Sequence, residues 1–129
     1  MEQSSKKRVV IIEDERSVAE LYSEFCRSFG FDTLLLRGSK NAMQEIGYYK
    51  PDLILLDIIM PGIMGTDLLK LIRANKATAD IPVILLSSFV DSDEVDPAVK
   101  LSNAMLAKPV NLQTLKNHIE KLLPLEVMQ

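Results

Sequence analysis

Residues 51–65 read PDLILLDIIMPGIMG, and no other stretch constrains the fold so tightly. Leu53, Ile54, Leu55 and Leu56 follow one another without a polar residue, so neither face of the segment is suited to water. A strand covered on both faces belongs in the middle of a parallel sheet packed by helices on two sides. The run ends on one carboxylate, Asp57, after which Pro61, Gly62 and Gly65 break any continuation and predict a loop. Open α/β sheets bind ligands in crevices outside the carboxyl ends of their strands, which makes Asp57 a candidate site residue.

The remaining chain repeats this plan. Val9, Val10, Ile11 and Ile12 form a second apolar run that stops abruptly at Glu13, Asp14 and Glu15. Residues 33–36, 83–86 and 103–107 read as further short strands, the second ending at Ser87 and Ser88 and the third at Lys108-Pro109. Between them, apolar residues recur at helical spacing. Val18, Leu21, Tyr22, Phe25, Cys26 and Phe29 predict a helix of about 13 residues closed by Gly30 as its C′ glycine. Ser39 is placed to cap a helix through Ala42, Met43 and Ile46 that ends near Gly47. Thr66 or Asp67 can cap the next, with Leu68, Leu69, Leu71 and Ile72 on its apolar side. Because proline is tolerated only in a helix's first turn, the fourth helix is expected to begin near Pro97 and to be short. Asn111 caps a last helix through Leu112, Leu115, Ile119, Leu122 and Leu123, and Pro124 ends it.

Five strands alternating with five helices predict a flavodoxin-like, doubly wound (βα)5 domain. This is a three-layer α/β/α arrangement around a parallel five-stranded sheet of order 2-1-3-4-5. At 129 residues the chain suits a single domain spanning residues 1–129, with a core at about residues 8–123. A net charge of −3, with 15 basic side chains scattered among 18 acidic ones, leaves no basic stripe for direct nucleic-acid binding. The opening MEQSSKKRVVII matches neither a signal peptide nor a membrane span, so a cytoplasmic protein without membrane insertion is expected. Cys26, the single cysteine, falls on a helix's apolar side and reads as a buried structural thiol. His118 reads as an ordinary helix residue.

Strand order 2-1-3-4-5 makes the first and third strands neighbours, which brings Glu13 and Asp14 beside Asp57. Three carboxylates repel one another unless a hard divalent cation lies between them, and all-oxygen donors with room for water point to Mg2+. Ser87 and Lys108 arrive from the fourth and fifth strands. Each element alone reads as a solvated strand end, a turn or a surface charge. Together, a carboxylate nucleophile, a cation, a hydroxyl and an ammonium are the groups that hold a phosphoryl group during transfer.

These residues resemble the response-regulator receiver domains of two-component signalling over essentially the whole chain. Glu13-Asp14 resembles the acidic pair, Asp57 the phosphoacceptor, DIIMPGIMG the family's loop DLxMPxMDG, Ser87 the Thr or Ser, and Lys108-Pro109 the Lys-Pro that ends strand five. The resemblance implies a phosphorelay component that takes a phosphoryl group onto Asp57 from a histidine kinase or histidine phosphotransfer protein. It implies Mg2+ held by Asp14, Asp57 and the Ile59 carbonyl, with Glu13 acting through water, and phosphoryl oxygens gripped by Ser87 and Lys108. It also implies a cis Lys108-Pro109 bond, and water access to the phosphoryl group governed by Ile59 and Phe89, both apolar here. A monomer or phosphorylation-dependent dimer, signalling to protein partners through the fourth helix, fifth strand and fifth helix, would follow.

Besides Glu13 in place of an Asp, the departures bear on signalling more than on chemistry. Met105 occupies the place of the Tyr or Phe that acts with Ser87 as the family's switch, and Ile63 and Met64 replace the usual Met and Asp. Two other readings share part of the chemistry. An aspartyl-phosphate phosphohydrolase needs a second acid two residues after its nucleophile, where this chain has Ile59. A pseudo-receiver would bind partners without phosphorylation or Mg2+.

Overall fold

The computed structural model describes residues 6–88 and 97–123. Five parallel strands, β1 (Arg8–Ile12), β2 (Asp32–Leu36), β3 (Leu53–Asp57), β4 (Val83–Ser87) and β5 (Ala104–Ala107), form one sheet of order β2-β1-β3-β4-β5. The order and the parallel pairing agree with the sequence reading. Helices α1 (Arg16–Ser28), α2 (Ala42–Tyr49), α3 (Gly65–Ala74) and α4 (Leu112–Leu122) cover the two faces.

Alternation along the strands divides the core in two. Val9, Ile11, Leu53, Leu55, Ile84 and Leu86 pack with Tyr22 and Cys26 of α1 and Leu115 and Ile119 of α4. Their neighbours Val10, Ile12, Ile54, Leu56, Val83 and Leu85 point the other way, onto Ile46 of α2 and Leu68, Leu69 and Ile72 of α3. Side chains alternate across a strand with period two, so a run apolar at every position fills both layers. Cys26 is buried and free, and burial alone pushes its thiol up to about 12.

The helix ends agree with the sequence only in part. α1 closes as expected: the Gly30 N–H donates to the Arg27 carbonyl at 2.9 Å and the Phe31 N–H to the Cys26 carbonyl at 3.2 Å. Gly30 adopts φ +92°, which a side-chain-bearing residue rarely takes. The Asn111 side chain caps α4 by accepting from the Thr114 N–H at 3.0 Å, also as expected. Ser39 does not cap α2. Its hydroxyl turns to the loop after β3, the N-cap position passes to Asn41, and the helix runs through Gly47 to Tyr49. Thr66 and Asp67 lie inside α3, whose N-cap is Met64. Gly65 is thus the first residue of α3 rather than part of a loop, and a Cβ there would lie 2.2 Å from the Asp57 carbonyl oxygen.

In place of a fourth α-helix the described residues have a short 3₁₀ segment, Pro97–Leu101, and the stretch before Pro97, on which the expected start depends, lies outside the described residues. Arg73 of α3 ties this segment down. Its guanidinium donates to the carbonyls of Leu101, Ala79 and Ile81 and to the side chain of Asn103, at 2.9, 3.1, 2.6 and 2.9 Å. Asn103 in turn accepts from the Val83 N–H, so one arginine joins α3, β4 and the approach to β5.

Candidate functional site

The carboxyl ends of β1 and β3 lie side by side because Ile12 pairs with Leu56, which leaves Glu13, Asp14 and Asp57 to emerge at one edge. One carboxylate oxygen from each of the three lies within 4.8 Å of the others. Glu13 and Asp57 are almost fully buried, at 1% and 4% exposure, whereas Asp14 faces solvent. The Glu13 side chain is aimed from within its own turn, where its Oε2 accepts from the Glu15 N–H at 3.1 Å. Sequence reasoning placed Glu13 but not this tether, because a backbone donor two residues on leaves no mark in residue type.

Lys108 reaches the cluster from the end of β5. Its Nζ lies 3.0 Å from Glu13 Oε1 and 3.4 Å from Asp57 Oδ1. The Lys108 N–H also donates to the Ser87 carbonyl at 2.9 Å, holding together the ends of β4 and β5. The Lys108-Pro109 bond is cis, as the resemblance implied. Ser87 is buried at the end of β4, and Ser88 is the serine that lines the open cleft. That cleft, of about 410 Å³, is bounded by Glu13, Asp14, Glu15, Asp57, Ile59, Ser88 and Lys108.

Electrostatics mark Asp57 out. Burial first, and the neighbouring Glu13 charge second, push its carboxyl up to about 6 although Lys108 pulls the other way. Burial disfavours the charged form of Lys108, yet its hydrogen bond to Glu13 and the charge of Asp57 outweigh this and raise its pKa. One ammonium thus faces two buried carboxylates with a third nearby. An excess of oxygen donors, partly desolvated and opening onto solvent, fits a hard divalent cation that keeps some of its water. Glu13, Asp14 and Asp57 are the carboxylates that could hold such a cation.

Comparison with known proteins decides the family. The sequence profile described as "Response regulator receiver domain" matches residues 9–120. The chain belongs to the response-regulator receiver family. It is 30% identical over 90 residues to the DNA-binding response regulator MtrA of Mycolicibacterium paratuberculosis, covering 70% of this chain and 39% of that protein. It is 32% identical over 87 residues to the phosphate regulon transcriptional regulatory protein PhoB of Pseudomonas aeruginosa, covering 67% of this chain and 38% of that protein. The chain therefore spans less than half the length of these curated relatives. Among solved structures, response regulator TrrA of Thermotoga maritima, in complex with Mg2+-BeF, superimposes with a TM-score of 0.82 at 29% identity, covering 91% of this chain and 99% of that one.

Within this receiver domain the remaining sequence-derived residues fall into two places. Ile59 lines the cleft and is 47% exposed. Met105 pairs with Leu85 on β4 and is half-buried against the α2/α3 layer, alongside Val99 of the 3₁₀ segment. Phe89 and the acidic residues 91–96 lie outside the described residues.

Proposed function

We propose that this receiver domain accepts a phosphoryl group on Asp57 from a histidine kinase or histidine phosphotransfer protein and passes the signal to a protein partner. The observation that carries this reading is the convergence of Glu13, Asp14 and Asp57 within 4.8 Å, with Lys108 in contact with two of them. Asp14, Asp57 and the Ile59 carbonyl would hold Mg2+, with Glu13 acting through water. That ion would neutralise charge shared between the carboxylates and the incoming phosphoryl oxygens.

Asp57 is the nucleophile: one carboxylate oxygen bonds to phosphorus while the bond to the donor breaks. Little covalent chemistry is left to the protein, so the other residues work by position and charge. Lys108, already drawn to Asp57, would turn to a phosphoryl oxygen, and Ser87 would donate its hydroxyl to another. Ile59 and Phe89 offer no hydrogen bond to orient an attacking water, which favours a long-lived product. Ser87 and Met105 form the switch, with the thioether of Met105 filling space without a phenol to change partners.

Residues 8–123 would act as one receiver unit, catalysing phosphoryl transfer only onto their own Asp57. A cytoplasmic setting is part of this reading; among the described residues no helix is long and apolar enough to cross a membrane. Output runs through the 3₁₀ segment, β5 and α4 to a protein, from a monomer or a phosphorylation-dependent dimer. This chain does not contact nucleic acid directly. The test is intact-mass measurement after incubation with acetyl phosphate, with Mg2+ or with EDTA. The parent should gain one phosphoryl group only with Mg2+, Asp57→Asn should gain none, and equal labelling of both proteins would overturn the assignment.

A further inference from the structure

The loop between β3 and α3 carries an apolar crest that begins at Ile59, which lines the Asp57 cleft, and continues through Ile63 and Met64, which the phosphoacceptor chemistry does not use. Ile59, Ile63 and Met64 are 47%, 39% and 43% exposed, and Pro61 and Gly62 between them are exposed too. Of the large apolar residues exposed among the described residues, Leu21, Tyr48, Leu71 and Leu101 come singly from other elements, whereas these three share one loop. Ile63 and Met64 also stand where the loop DLxMPxMDG has Met and Asp, so a side chain that is ordinarily a carboxylate is here an exposed thioether.

The crest is held against a basic ledge. The Ser39 hydroxyl accepts from the Ile63 N–H at 2.8 Å and donates to the Pro61 carbonyl at 3.3 Å, while the Ser39 N–H donates to the same carbonyl at 3.3 Å. Between the two segments lies a cleft of about 470 Å³ lined by Arg37, Gly38, Ser39, Lys40, Pro61 and Gly62. It contains two cations and no carboxylate. Arg37 and Lys40 are exposed, and neither enters an ion pair among the described residues. In a chain of net charge −3, a carboxylate-free pair of cations beside an apolar crest is a local reversal of the overall field.

We propose that this ledge and crest, Arg37 and Lys40 with Pro61, Ile63 and Met64, form a docking surface for an acidic amphipathic segment of a protein partner. The occupant follows from complementarity. Apolar anchors bury against Ile63 and Met64, which supplies the affinity, while carboxylates on the flank meet Arg37 and Lys40, which sets orientation and speeds encounter. A polyanion such as nucleic acid would use the cations but gain nothing from the crest. The surface is separate from the face assigned to output, and because Ser39 bonds to the loop that follows Asp57, a partner bound here touches the phosphoacceptor segment directly.

The test uses the whole chain and two synthetic helical peptides that share a Leu/Phe face, one flanked by glutamates and the other by lysines. Binding is read by fluorescence anisotropy at low and at physiological salt. The acidic peptide should bind at least about tenfold more tightly than the basic one, which is about 1.4 kcal/mol. An Arg37→Glu, Lys40→Glu variant should reverse that order, and Met64→Asp should weaken the acidic peptide several-fold. Each variant's fold is checked by its labelling with acetyl phosphate, which none of these residues serves. Equal binding of the two peptides, or no change in the double charge reversal, would overturn the proposal. Duplex DNA or heparin competing as well as the acidic peptide against both the parent and Met64→Asp, or concentration-dependent dimerisation lost in those variants, would also overturn it by naming another occupant.

Discussion

Asp57→Asn should stabilise the metal-free domain, and by an amount that depends on pH. The Asp57 carboxyl ionises near 3.8 in an unfolded chain and near about 6 in the folded one, because it is buried beside Glu13. Between those values the folded state holds a proton that the unfolded state has released, so stability falls as pH rises through the window and stays low above it. At about 1.4 kcal/mol per pH unit, the full displacement corresponds to about 3 kcal/mol lost by neutral pH. Asparagine carries no charge to desolvate and no repulsion with Glu13. The variant should therefore gain up to about 3 kcal/mol near pH 7.5 and almost nothing near pH 4. For a domain of this size that is on the order of 10 °C in Tm. Mg2+ should close the gap, since a ligand at a hundredfold its Kd stabilises the parent by about 2.7 kcal/mol and the variant lacks one of the carboxylates. Thermal and urea unfolding of both proteins across pH 4–8, in EDTA and in Mg2+, measures all of this. A gap independent of pH, or a parent at least as stable as the variant near pH 7.5 in EDTA, would refute the electrostatic account of the site.

Lys108→Met should destabilise the metal-free protein by about 3 kcal/mol at neutral pH, because it leaves Glu13 and Asp57 buried without their cation; Mg2+ should restore most of the loss in a urea titration, though not the rate of phosphoryl transfer. Ile59→Asn should speed loss of phosphate from Asp57 by tenfold or more, equivalent to at least about 1.4 kcal/mol in the barrier, and unchanged decay would show that water is not controlled there. Arg73→Met should cost about 2–4 kcal/mol by stranding the carbonyls of Ala79, Ile81 and Leu101, while labelling of Asp57 below the transition stays at parental levels. Gly65→Ala should weaken Mg2+ binding measured by calorimetry, since its Cβ would displace the Asp57 carbonyl from the start of α3.

The sequence alone determined the sheet and the identity of the candidate site. Apolar runs with no alternation can satisfy water exclusion only with both faces covered, which requires parallel strands and helices on two sides, and that topology brings Glu13, Asp14, Asp57, Ser87 and Lys108 to one edge. Gly30 and Asn111 were legible because capping is local chemistry, set by a positive φ at one and a short side-chain acceptor at the other. Ser39 was misread for the complementary reason. Its hydroxyl could serve the nearby helix or a loop 24 residues away, and only the packed chain places the Ile63 N–H at 2.8 Å. Arg73 looked like any charge in a helix's last turn, and its acceptors on two segments, residues 79–81 and 101–103, have no signature in their residue types. Tertiary structure also decided that Glu13 is buried while its neighbour Asp14 faces solvent, because consecutive residues at a strand end point opposite ways and the ends of β3 and β5 cover only one of them.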